Sequence, residues 1–216
     1  MKNAQSKQIE TLNFSLIEMG ALVERAVACA AKGFIAKDIE NAKNAFLLDG
    51  EIAAKEKEIE SLSMKLLLHS PGTLQLRQIS SALKMITDLK RAADQASDIS
   101  ELAILMADDE YTVDMFEIPN MARETVNMMT DSIEAFVHND IDLALSVKGQ
   151  DDRVDLLFDT EKEMLIKTVR EDAERASQAL DFLMIAKYFE RIGDHAVSVA
   201  EWVIYSITGK HTDKYN

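Results

Sequence analysis

Ile9, Leu12, Leu16, Met19, Val23, Ala26 and Ala30 recur at spacings of three and four along the start of the chain. That period lays apolar side chains along one face of a helix, and it predicts a first helix over roughly residues 5–31. Gly33 stands where this helix is expected to end. Asp38 is an N-cap candidate for a second helix, because its carboxylate can accept from an otherwise unpaired backbone N–H. Ile52, Ile59, Leu62 and Leu66 carry the second stripe. Ser70-Pro71-Gly72 breaks the chain, with proline suited to a first helical turn. Leu76, Ile79, Leu83 and Ile86 then open a third helix that runs to about Met106.

Asp108 to Ile118 loses the period and reads as a connector. Pro119 opens a fourth helix with Val126, Met129, Ile133 and Phe136, and His138-Asn139-Asp140 is a turn. Asp140 caps a fifth helix carrying Val147, Val154, Leu157 and Met164. A sixth, from about Ala176 to Ile207, carries Leu180, Phe182, Ile185, Phe189, Ile192, Val199 and Val203. Long helices with short loops pack antiparallel. The expected fold is all-α, two tandem three-helix bundles over residues 1–108 and 109–216. One mixed six-helix bundle is the alternative.

An internal repeat favours the two bundles. A shift of about 102 residues brings Phe34 onto Phe136, Asp38 onto Asp140, Ile39 onto Ile141, Ala42 onto Ala144 and Asp49 onto Asp151. In the third helix of each half the shift is about 100, bringing Leu83 onto Leu183, Arg91 onto Arg191, Asp94 onto Asp194 and Glu101 onto Glu201. Matches spread over three helices say more than a shared heptad, which any two bundles would have.

Composition narrows the class. Glycine (7) and proline (2) are too scarce for a sheet protein with frequent turns, and 47% hydrophobic residues argue against disorder. With 38 acidic against 24 basic side chains the formal charge is −14, which repels phosphate backbones and anionic lipid, so nucleic acid is not an expected partner. The lone Cys29 cannot form an internal disulfide and reads as a core thiol. The N-terminal residues lack an uninterrupted apolar core of a signal peptide, and no run of about 18 apolar residues could span a bilayer. The expectation is a soluble cytoplasmic protein.

Candidate chemistry concentrates in Tyr188-Phe189-Glu190-Arg191-Ile192-Gly193-Asp194-His195. Glu190, Asp194, Ser198 and Glu201 share one helix face, as do Asp151, Asp155 and Asp159 on the helix before. Like charges at i and i+4 cost a helix a few tenths of a kcal/mol each, about 0.2–0.5, and a bridging cation would reverse that. Hard divalent ions take such oxygen ligands, and iron or manganese also accepts carboxylates. A solvated acidic face is the competing reading, and residue types alone favour it. The first half has Asp49, Asp94, Asp98 and Glu101, but Lys90 stands in the place of Glu190 and Ala53 in that of Asp155. A lysine there can neutralise a carboxylate that an ion would bridge, so the first-half site should be weaker or absent.

The other distinctive residues have plainer readings. Gly193 sits mid-helix, at a cost of about 1 kcal/mol against alanine, and its repeat mate is Ala93. His195 reads as a partly buried structural residue, the methionines as core filler, and Trp202 and Tyr205 as packing. The Glu-x-x-His pairs of a ferritin-like di-iron centre, a phosphate-binding glycine loop, a G-x-G-x-x-G turn and a G-x-S-x-G elbow are all missing from the sequence. No catalytic residues are expected.

Glu190-Arg191-Ile192-Gly193-Asp194-His195-Ala196, followed by Ala200-Glu201-Trp202-Val203, resembles the PhoU family of phosphate-transport regulators. The resemblance extends over nearly the whole chain, including the duplicated halves, Leu76-Arg77, and Asp151 to Asp155. It implies metal sites built from paired (Glu/Asp)-x-x-x-Asp motifs and holding iron or zinc. Asp151, Asp155, Glu190 and Asp194 keep that motif, whereas in the first half only Asp49 and Asp94 do. Asp98 and Ser198 stand where the family usually has asparagine. The resemblance further implies an adaptor between the ATPase subunit of a phosphate ABC importer and a phosphate-sensing histidine kinase, keeping the starvation response off when phosphate is ample. It would be peripheral at the membrane through protein contacts. A second copy, in a homodimer, is a further partner to test, and manganese or magnesium are alternative ions. The rival readings are a metal-storage bundle and a small hydrolytic metalloprotein.

Overall fold

The structure is a computed structural model describing residues 2–69 and 71–211, with side chains from Lys7 onward. Ser70, expected in a helix break, lies outside the described residues. Among the described residues six long helices follow in order: α1 (Lys2–Ile35), α2 (Ile39–Leu67), α3 (Thr73–Leu105), α4 (Ile118–His138), α5 (Ile141–Glu171) and α6 (Ala176–Thr208). A 3₁₀ turn, Ala173–Arg175, precedes α6. The first three helices pack on one another, and so do the last three, as the repeat predicts.

Local chemistry sets the same turn twice. Lys37 and Asn139, repeat mates, both take a left-handed φ of 52°. The next residue caps the following helix in each half. Asp38 accepts from the Asn41 N–H at 3.1 Å, and Asp140 from the Leu143 N–H at 3.0 Å. Such caps each contribute about 1 kcal/mol by satisfying an orphan donor. Before α3, the Gln75 side chain accepts from the Gly72 N–H at 3.2 Å. Gly209, with φ of 73°, terminates α6 through the left-handed conformation that glycine adopts without cost.

Gly33 does not end α1, which continues to Ile35. The glycine is there for contact: a Cβ on it would lie 2.9 Å from both the backbone nitrogen and the Cβ of Ala42. α1 and α2 approach closely there, and the left-handed Lys37 makes the stop instead.

The predicted stripes form the core. Leu12, Leu16, Met19 and Val23 of α1 and Phe182, Ile185, Phe189 and Ile192 of α6 are buried. Truncating one of these leucines to alanine would cost about 2–5 kcal/mol through lost transfer energy and the cavity left behind. Leu180, assigned to the α6 stripe, is 62% exposed, and Leu157 and Met164 of α5 are only half-buried, since Glu161 and Leu165 take the buried places. The halves join through α3 against α6 and α1 against α4, while α2 and α5 each touch only their own half among the described residues. The connector is pinned rather than loose. Gln178 Oε1 accepts from the N–H groups of Thr112 and Val113 at 2.7 and 2.9 Å, and Tyr111 packs between Phe34 and Phe182.

Candidate metal centre

Two turns of α5 and two of α6 bring together the four carboxylates that keep the paired-motif spacing. Asp151 and Asp155 come from α5, and Glu190 and Asp194 from α6. Burial is the first reason the Asp151 carboxyl is pushed up to about 7, and the charges of Asp155, Asp194 and Glu190 add to it. Asp155 is raised by burial and then by Glu190, with Lys187 pulling the other way. Gly193 opens the space that this needs. A Cβ on it would stand 3.3 Å from Asp151 Oδ1, so the glycine lets the carboxylate lie against α6.

Glu190 is held unevenly. Its Oε1 accepts from the Lys187 Nζ at 2.6 Å, while its Oε2 is buried with no hydrogen-bond partner. A buried, unpaired carboxylate oxygen is costly and calls for a counter-charge or donor. Four hard oxygen donors, one of them paired with Lys187, fit a divalent or trivalent cation in donor type and in charge. Among the described residues no three carboxylate, histidine or cysteine side chains converge at ligand distance, so an ion would gather these groups by side-chain rotation. Asp159, on the same face of α5, pairs with Lys162 at 2.5 Å and adds to the charge that raises Asp155.

The first half is arranged differently. Lys90 Nζ lies 3.0 Å from Asp49 Oδ1 and also pairs with Asp94. Burial pulls the Lys90 ammonium down, but its hydrogen bonds to Asp94 and Asp49 outweigh that and hold it above the usual lysine range. Asp98 is raised by burial and by Asp94 and Glu101, and is eased by Arg191 of α6. Asp98 and Glu101 thus belong to the seam between the halves. Glu56, which the repeat pattern did not single out, is raised by burial and by the charge of Glu60, with Asp94 also contributing.

A cleft of about 470 Å³ opens beside the second-half cluster, lined by Asp151 and Asp194 and also by Asp88, Arg91, Lys148 and His195. Asp88 on α3 is the functional-looking residue that sequence reasoning missed. It accepts from Ser198 Oγ at 2.8 Å and faces His195 Nδ1 at 3.2 Å. His195 Nδ1 is therefore turned toward Asp88 of the other half. The repeat carried no signal for Asp88. Its mate is Tyr188, whose phenol is raised by burial and by Asp98, the mate of Ser198. The two seams are thus polar in opposite senses, which pairing by position alone does not reveal.

Glu161 was also missed. It is fully buried on α5, where its repeat mate in α2 is the buried Ile59. Its Oε2 accepts from the Glu117 N–H at 2.5 Å, tying α5 to the start of α4. Burial pushes its carboxyl up to about 7 despite that bond.

Fold and site together define a class: a duplicated three-helix-bundle protein with a carboxylate cluster between the last two helices of one bundle. Known proteins are similar to the chain along its length. The family described as PhoU domain matches twice, over residues 16–103 and 118–203. A relative from Clostridium acetobutylicum, named "Phosphate-specific transport system accessory protein PhoU homolog", is 32% identical over 95% of this chain and 94% of its own. The crystal structure of PhoU from Pseudomonas aeruginosa superposes with a TM-score of 0.90 at 31% identity, covering 97% of this chain and all of that one. PhoU from Streptococcus pneumoniae shares the fold at a TM-score of 0.87 with 22% identity, covering 97% of this chain and 99% of that one. The chain belongs to the PhoU family.

Proposed function

We propose that this chain is a non-enzymatic accessory protein of a phosphate transport system. It would act as an adaptor between the ATPase subunit of a phosphate ABC importer and a phosphate-sensing histidine kinase, and repress the starvation response when phosphate is ample. The observation that carries this reading is the family match in both halves, joined to a relative of matching length that is named for phosphate-specific transport. Among the described residues no helix is long and apolar enough to cross a membrane. Membrane association in this reading comes through protein partners.

Asp151, Asp155, Glu190 and Asp194 would hold the metal ion, iron or zinc, with manganese or magnesium as oxygen-donor alternatives. The bound ion supplies positive charge that keeps these carboxyls ionised and ties α5 to α6. Around it, Lys187 neutralises one oxygen of Glu190, and Gly193 leaves room for Asp151. A storage role needs many sites per chain, and the Lys90 ion pairs in the first half speak against a second one.

The test is affinity capture of the tagged protein from its own cells, grown in high and in low phosphate, with partners identified by mass spectrometry. Recovery of the importer ATPase or a sensor kinase, changing with phosphate, is the expected result. Recovery of neither in both conditions would overturn the adaptor reading.

A further inference from the structure

The contact between α1 and α4 occurs twice along the seam, once at each end, because the two helices are repeat mates running antiparallel. At one end Ile133 of α4 seats on Gly20 of α1, so closely that a Cβ on Gly20 would lie 2.9 Å from the isoleucine Cδ1. At the other end the repeat mates of that pair are Ala31 and Ala122. Two alanines replace a branched side chain on a glycine, and the helices leave an open groove of about 340 Å³ between them. Its floor and walls are Ala28, Ala31, Ile35, Pro119, Ala122 and Val126. Every charged residue lining it is a cation, Lys32 from α1 and Arg123 from α4. Both are exposed. Arg123 also reaches Asn120 at 3.0 Å and Glu124 at 3.6 Å, but Glu124 is shared with Arg153 at 3.3 Å.

The molecule itself thus displays what fills this place when it is filled: one branched aliphatic side chain borne on a helix. The rim adds a charge preference. In a chain with 38 acidic and 24 basic residues, an apolar groove whose lining charges are all positive is locally inverted, and it complements carboxylates. An amphipathic helix laid in a groove between two helices is a recurring recognition mode, with anchors one turn apart and polar flanks giving specificity.

We infer that the α1–α4 groove is a docking site for an acidic amphipathic helix of a partner protein, which inserts an isoleucine or leucine over Ala31 and Ala122 and sets carboxylates against Lys32 and Arg123. The inference is independent of the metal centre and of the phosphate reading.

The probe is a labelled 18-residue helical peptide with isoleucines one turn apart and glutamates flanking the stripe. A second peptide has the same stripe flanked by lysines. Fluorescence anisotropy with the full chain is expected to show the glutamate peptide binding at least about tenfold more tightly than the lysine peptide, a margin near 1.4 kcal/mol. Ala31→Leu, which fills the groove from within, should weaken the glutamate peptide about tenfold. Arg123→Glu, a surface change that leaves the core intact, should reverse the preference between the peptides. Far-UV circular dichroism checks folding of both variants. Equal binding of the two peptides, binding of neither, or an affinity indifferent to both substitutions would overturn the proposal. So would a parent dimer that Ala31→Leu dissociates in sedimentation, since the occupant would then be a second copy. Saturable binding of decanoate lost in Ala31→Leu, with no peptide binding, would make the groove a small-amphiphile site and equally overturn it.

Discussion

Lys90 Nζ lies 3.0 Å from Asp49 Oδ1, at the place where the repeat in the second half sets Glu190 beside Asp151. Two substitutions between the halves, Lys90 for Glu190 and Ala53 for Asp155, thus separate a closed ion-pair cluster from an excess of negative charge. Lys90→Glu should leave Asp49, Asp94 and Glu56 without their counter-ion. Metal-free protein should lose about 1–3 kcal/mol, the cost of leaving partly buried groups unpaired. Added metal should then raise both the thermal midpoint and the stoichiometry measured by elemental analysis. No gain in bound metal would mean that Ala53, and not Lys90, is what disables the first half.

In the second half, Asp151→Ala with Glu190→Ala should lower bound metal while leaving the helical circular dichroism unchanged. The cluster stands at the partly buried approach of α5 and α6, outside the apolar core, and the core residues Val154 and Phe189 remain. Equal metal in parent and variant would move the site elsewhere.

Glu161 gives the stability a pH dependence of definite sign. Its carboxyl stands at about 7 in the fold against an ordinary 4.5. The folded state therefore binds the proton more tightly, and its contribution is full below about 4.5 and is lost as pH rises through 7. Glu161→Gln keeps an acceptor for the Glu117 N–H and removes the titration. Between pH 5 and 8 the thermal midpoint of the parent should fall further than that of the variant. Parallel curves would show that Glu161 titrates normally.

Gly33 and Gly50 both lie within helices, and alanine at either would gain helix propensity of about 1 kcal/mol. Around Gly50 no atom lies within 4 Å of the new Cβ, so Gly50→Ala should stabilise the protein by roughly that amount. At Gly33 the Cβ meets the Ala42 backbone at 2.9 Å, and α1 and α2 must move apart. Gly33→Ala should therefore destabilise by about 1–3 kcal/mol in urea denaturation, the cost of overpacking. The same sign for both substitutions would show that the crossing relaxes freely.

The helices, their caps and the duplication were legible because they depend on local chemistry. A period of three and four places Leu12, Leu16 and Met19 inside whichever partner covers them. Asp38 and Asp140 need only their own next turn. The carboxylate motifs on α5 and α6 were legible for the same reason, as spacing on one helix. The misreading of Gly33 shows the boundary: a stop signal and a close-packing signal are the same residue, and only the presence of Ala42 opposite distinguishes them.

What the amino-acid sequence determined by itself was therefore the set of elements, their polarity and their repetition, since each follows from interactions within a few residues. What the tertiary structure alone decided was which faces meet across the seam. Asp88 finds His195 and Ser198 over a hundred residues away, Glu161 finds the Glu117 N–H, and Ala31 fails to fill the space that Ile133 fills at the other end. Such pairings depend on how helices are placed in space, where burial raises the cost of an unpaired charge and a missing methyl leaves a groove, and a one-dimensional pattern does not contain that placement.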